Sequence, residues 1–172
     1  MKFNMKRKQA GATILEAIAY LGIAAVVIIG ALSLFGSGLS GADTNKAMEE
    51  LTGIRSGTKS FFTGQAGYGT SGTLLNGALI TAKVIPGTMS VSGTNITNAW
   101  GGAVNVTSTG TAFTIQTDLV PQDVCAKITS AAGGSGWMGI SVNGAAMTMP
   151  TTSTSAAAAC NAATNTIIFT AS

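Results

Sequence analysis

Glu16 carries the only negative charge before Asp43, and it stands where a charge is expensive. From Ala12 to Phe35 the chain runs for about 24 residues with no other charge, which as a helix would extend about 36 Å and span a bilayer core of about 30 Å. A carboxylate inside such a segment costs on the order of 2.5 to 3.5 kcal/mol on insertion scales and normally has a partner. The segment itself holds no opposite charge. Ahead of it lie Lys6, Arg7 and Lys8, which keep that end of the helix on the cytoplasmic side, and then Gly11. In a secretory signal peptide the cleavage site follows an apolar stretch of about 7 to 15 residues, whereas Gly11 precedes the stretch. A cut after Gly11 would give Ala12 a new ammonium group four residues from Glu16. The same group on a neighbouring copy could neutralise the carboxylate once the helices packed.

The run Gly11-Ala12-Thr13-Ile14-Leu15-Glu16 resembles the prepilin peptidase site of type IV pilins, in which glycine ends the leader and glutamate is the fifth mature residue. Asn98-Ala-Trp-Gly-Gly-Ala-Val-Asn-Val106 and Leu119-Val-Pro-Gln-Asp-Val-Cys125 look like the globular domain of type IVb pilins of the bundle-forming and conjugative thin-pilus kind. Ala12 stands where the family usually has a larger apolar residue, and the leader Met1 to Gly11 is short for the type IVb class. The resemblance implies cleavage between Gly11 and Ala12, N-methylation of Ala12, and a role for Glu16 in assembly. It also implies partners: prepilin peptidase, the inner-membrane pilus assembly machinery, and further copies of the chain in a helical homopolymer. The chain would sit in the inner membrane before assembly and afterwards in an extracellular pilus serving adhesion, aggregation or mating-pair contact. Two rivals share features with this reading. One is a pseudopilin or minor pilin. The other is a secreted monomeric binding domain behind a signal peptide cut after Ser40-Gly41-Ala42.

The remaining reactive residues argue for little chemistry. Cys125 and Cys160, with no histidine in the chain, cannot supply a usual zinc set and form no Cys-x-x-Cys pair. If the helix carries the domain across the membrane, they meet an oxidising compartment and should form a disulfide. In the pilin family the corresponding bridge bounds the exposed C-terminal region. Serine and threonine are abundant but lack a base to activate them, and Asp118 with Asp123 reads as capping and solvation, so no catalytic residue, metal or cofactor is expected. The formal charge of +3 is carried by the leader, whose removal leaves five basic and six acidic residues, a net of −1. No basic patch remains for nucleic acid. The Asn-x-Thr triplets at Asn95 and Asn105 match a glycosylation acceptor in form, but chance explains them in a chain so rich in Asn and Thr.

The elements that must position these residues read as an α+β fold. The 172 residues are 46% hydrophobic and 9% charged, with 23 glycines, which suits one modest domain plus an anchor. Residues 1–11 form the leader, 12–41 the membrane or filament-core helix ending in a soft Gly-rich joint, and 42–172 the globular domain. Asp43 or Thr44 would cap a second helix if the joint interrupts the first. Ala47, Leu51, Ile54, Thr58 and Phe61 make its apolar face, with Lys46 and Glu50 meeting on the exposed side. Leu74 to Val84 suggests a short helix or turn, and a strand breaks at Pro86-Gly87. Val104 and Val106 followed by Phe113, Ile115 and Thr117 alternate as a hairpin. Met138, Ile140 and Val142, the turn Asn143-Gly144, then Met147 and Met149 make a second. Between the hairpins, Pro121 starts a helix with Val124, Cys125 and Ile128 inward and Gly133-Gly134 at its end. Thr151 to Ala159 reads as a surface loop entering a short helix, and Thr166 to Thr170 as the last strand.

Overall fold

A computed structural model of the chain describes residues 13–172, with the backbone alone over residues 35–40. Its first element is α1, Ile14–Phe61, 48 residues long. Thr13 opens it, since the Glu16 N–H donates to Thr13 Oγ1 at 3.3 Å and so satisfies one of the free donors of the first turn. A carboxylate in that turn also suits the positive end of the helix dipole. α1 runs unbroken through residues 36–41, where the sequence places the soft Gly-rich joint. Extending an existing helix fixes only one residue per hydrogen bond gained, so glycine weakens the run without ending it. Asp43 and Thr44 consequently lie inside α1 and cap nothing at its start.

The chain divides into two compact units, one ending at Leu39 and the other running Ser40–Ser172. In the first, Ile14–Leu34 gives 21 helical residues of mean hydropathy 2.4, none buried within the chain. By length and composition this stretch can cross a membrane.

The second unit holds α2 (Asn76–Thr81), α3 (Gln122–Ala132) and α4 (Ser153–Ala159) with strands β1 (Ser90–Ser92), β2 (Asn95–Thr97), β3 (Ala103–Ser108), β4 (Phe113–Pro121), β5 (Gly139–Val142), β6 (Ala145–Ala146) and β7 (Thr164–Ala171). The strands form one seven-stranded sheet in the order β1-β2-β3-β4-β7-β5-β6, antiparallel at every pairing. Side chains alternate between faces along each strand, and the register aligns the apolar ones. Val104, Thr117, Ile167 and Val142 form one row across four strands, and Val106, Ile115, Phe169 and Ile140 the next. All eight are buried. Ala47, Leu51 and Ile54 of α1 and Val124, Cys125 and Ile128 of α3 join them in one core, each large aliphatic contributing about 1.5 to 3 kcal/mol. The α+β architecture read from the sequence is therefore present, including both hairpins, although the return strand of the second is only β6, and Met147 and Met149 lie beyond it. The second turns on Asn143 at φ 52° and Gly144 at φ 82°, the left-handed pair that a tight two-residue turn requires.

Three local expectations need correcting. Phe61 does not complete the apolar face of α1 and is 39% exposed. Its helix ends there, and Phe62 instead packs on Tyr68, which packs on Phe113, with ring centroids 5.4 and 4.7 Å apart. Glu50 is not on the exposed side but only 4% accessible. Being three residues after Ala47 and four before Ile54, it lies on the buried stripe. Its carboxylate does meet Lys46, at 3.8 Å. Finally, Leu74 to Val84 does hold a short helix, α2, but no strand breaks at Pro86-Gly87; the short strands β1 and β2 follow it instead. Buried Asn76 covers the edge of β3 there, its Nδ2 donating to the Val104 carbonyl at 2.9 Å and its Oδ1 accepting from the Val106 N–H at 2.8 Å. An amide thus stands in for a neighbouring strand.

Thr58 is fully buried on α1, and its hydroxyl finds no partner among the described residues. Thr58→Val keeps the shape and removes the unpaired group, so thermal unfolding of the full chain in detergent should show a gain of about 1 kcal/mol. Thr58→Ala should show a loss, because it also leaves a cavity.

Candidate functional site

The sequence places its functional weight at the N-terminal end of α1 and at the cysteine pair. Gly11 and Ala12, the expected cleavage and methylation positions, lie outside the described residues. Glu16 sits in the first turn of α1, where the Tyr20 hydroxyl donates to its Oε1 at 3.2 Å. Sequence reasoning finds no charged partner for Glu16 and overlooks this neutral one, although a spacing of four residues puts the two side chains on one face of a helix.

Cys125 in α3 and Cys160 just beyond α4 form a disulfide with Cα atoms 5.8 Å apart. The bridge closes a loop over a sequence separation of 35, worth about 3 to 4 kcal/mol through restriction of the unfolded chain. Within that loop α4 is capped by Thr152, whose side chain accepts from the Ser155 N–H. Ser130 of α3 and Ser153 of α4 hydrogen-bond at 2.9 Å. Arg55 of α1 secures the turn after α3 by donating to the carbonyls of Ser135 and Gly136 at 2.9 and 2.6 Å. Its guanidinium also lies 4.8 Å from the centre of the Trp137 ring, a cation–π contact.

The segment Asn98 to Gly102 is built around one amide. Asn98 Nδ2 donates to Thr117 Oγ1 at 2.9 Å and to the Asp118 carbonyl at 2.6 Å, while its Oδ1 accepts from the N–H groups of Trp100 and Gly102 at 3.1 and 2.8 Å. Gly102 packs so close to the Asp118 carbonyl that a Cβ there would overlap it. The carbonyl belongs to a β-bulge, where β4 slips against β7 between Thr117 and Val120 and Leu119 takes a left-handed φ of 55°. Asp118 is held by Thr166 Oγ1 at 2.8 Å and by Gln116, whereas Asp123 pairs with Lys127 at 3.8 Å. The two acids are thus engaged separately.

Among the described residues no cluster of histidine, cysteine or carboxylate side chains could hold a metal. The cavity beside Glu50, lined also by Asn98, Trp100 and Met89, is of about 20 Å³, room for about one water, and an open cleft of about 380 Å³ lies against Ala126, Lys127, Ser130, Ala131 and Ser153.

The family described as PilS N terminal matches residues 41–172 of the chain. In fold the chain is similar to TcpA, a type IV pilin from Vibrio cholerae El Tor biotype, with a TM-score of 0.58 and 12% identity over 76% of this chain and 99% of that one. It is also similar to PilS, a type IVb pilin from Salmonella typhi, with a TM-score of 0.52 and 28% identity over 74% of this chain and 95% of that one. No curated protein matches the sequence.

Replacing Asn98 by alanine would strand the Asp118 carbonyl and the N–H groups of Trp100 and Gly102 in a largely buried setting. Chemical denaturation should then show a loss of about 2 to 4 kcal/mol. Asn98→Asp should also lose stability, because a carboxylate lacks the two donors.

Proposed function

The chain belongs to the PilS N-terminal family, and from that premise we propose that it is the structural subunit of a type IV pilus, cleaved after Gly11 by prepilin peptidase and N-methylated at Ala12. The observation that carries the reading is the pairing of a type IVb-like pilin domain with a helix whose first 21 residues are apolar and unburied within the chain. Such a helix has two suitable environments, a bilayer before assembly and the packed helices of other copies afterwards. Transfer from one to the other is the assembly step. Head-to-tail contacts whose rotation does not close generate an open helical filament, exposed outside the cell. Adhesion, aggregation and mating-pair contact are the roles such a surface fibre would serve. The rival cut after Ala42 falls within α1, which favours the site at Gly11.

Glu16 has a defined part in this scheme. The ammonium of a neighbouring Ala12 would neutralise the carboxylate inside the bundle and set the axial register of the incoming subunit, since an ion pair gains most when it leaves water with its partner in place. Against this stands a position at the headgroup boundary, only about 6 Å along the helix from Ala12, where water would relieve the charge.

Gly11→Ala tests the cleavage. The expected result is full-length protein retained in the membrane with no fibres, while the wild-type mature chain begins at Ala12 by N-terminal sequencing and mass. Normal processing and piliation of the variant would reject the site. Glu16→Leu tests the pairing: the variant is a better membrane segment, so it should be processed and inserted yet assemble poorly. Wild-type fibre yield from Glu16→Leu would place the carboxylate outside the assembly mechanism.

A further inference from the structure

Glu16 and Tyr20 are two polar groups in a segment with few others. Between Thr13 and Tyr20 the only other polar side chain is Glu16, and beyond Tyr20 the next is Ser33. Tyr20 lies about 6 Å further along the helix than Glu16, towards the apolar interior, and its hydroxyl donates to Oε1 of Glu16 at 3.2 Å. The direction of this bond is set by chemistry, because an ionised carboxylate accepts only. Both groups gain, since an unpaired hydroxyl in an apolar medium is penalised as well as an unpaired charge.

We propose that Tyr20 is a positioning residue for Glu16. By holding Oε1 it limits the rotation of the carboxylate and leaves Oε2, which has no partner among the described residues, for the ammonium of an incoming copy. The ordering of the glutamate side chain is then complete before the subunits meet, and docking loses less conformational entropy. The Tyr20 bond also lowers the penalty of carrying Glu16 in the membrane while the subunit waits. This inference rests on the assembly role of Glu16 proposed above. Its competitor is a tyrosine serving as an aromatic anchor near the headgroups, a role the ring fulfils without reference to Glu16.

Tyr20→Phe separates the two by removing the hydroxyl and keeping the ring. Full-length wild type, Tyr20→Phe, Glu16→Gln and the double variant are expressed in a cell where the wild type makes fibres, and processed membrane protein and sheared fibre protein are measured separately. Energy transfer between labelled, processed chains in phosphatidylethanolamine–phosphatidylglycerol vesicles reads association where fibre yield is too low. Tyr20→Phe should be processed and inserted as the wild type is, but should assemble or associate about tenfold less well, the scale of one hydrogen bond to a charged group. It should bring no further loss in the Glu16→Gln background. Equal assembly by Tyr20→Phe and wild type overturns the inference, and so does an equal fold-loss in both backgrounds, which would make the hydroxyl independent of Glu16. Should Glu16→Gln itself assemble as the wild type does, the pairing reading falls and this inference with it. That outcome is distinguished from failure of Tyr20 alone by the single variants.

Discussion

A helix that is apolar on every side has no stable place in water, and α1 is such a helix from Ile14 to Leu34. Farther along the same helix the demand changes. From Ala47 to Thr58 only one stripe is buried, against the sheet. One continuous element therefore carries two kinds of surface, one to be covered by lipid or other copies and one covered by its own domain. This division explains why the only acid of the first part lies in the first turn, where the helix dipole, the Tyr20 hydroxyl and the adjoining polar boundary can all relieve it. A charge in the middle of the run would have none of the three.

The domain is held with few charges. The ion pairs Lys46–Glu50 and Lys127–Asp123 are each separated by 3.8 Å and involve at least one half-exposed partner, so each adds a few tenths of a kcal/mol at most. Amides supply the specific polar contacts instead. Asn76 finishes the edge of β3, Asn98 ties the loop before β3 to the β4 bulge, and Asn165 accepts from Asn143 at 2.8 Å and donates to the Ala162 carbonyl at 2.9 Å. Asparagine offers donors and an acceptor in one planar group and does not titrate.

What the sequence made legible follows from the range of the forces involved. The stripe Ala47, Leu51, Ile54 and Thr58, the alternation Phe113, Ile115, Thr117, and the Asn143-Gly144 turn are local signals, and they appear in the fold as expected. Glu50 departs from expectation because a charge ordinarily points outward, whereas its spacing from Ala47 and Ile54 puts it inside. The strands that follow Pro86-Gly87 escape local reading for another reason. β1 and β2 are three residues each, too short to show alternation, and β1 is exposed along its whole length. At the candidate site the cysteine pair is legible from residue type and compartment, and Glu16 stands out as the one acid of an apolar run. Tyr20 is not legible in this way, because a tyrosine in an apolar run counts as apolar until its hydroxyl is seen to have an acceptor.

The sheet order was beyond local reading, and it decides how the domain is completed. β7 is last in sequence order yet lies between β4 and β5. Strands β1 to β4 are joined to one another by neighbouring pairings, but β5 and β6 have only each other until β7 arrives. A two-stranded ribbon is marginal by itself in water. The disulfide bears on this weakness, because Cys160 is four residues from the start of β7 and is tied to α3, whose Val124 and Ile128 lie in the core. A bridge here restricts the unfolded chain on the side of β7, since loop closure is the main entropic cost of a long-range pairing. The same bridge then holds β7 from one end in the finished domain, where it supplies the hydrogen-bonding partner of strands on both sides.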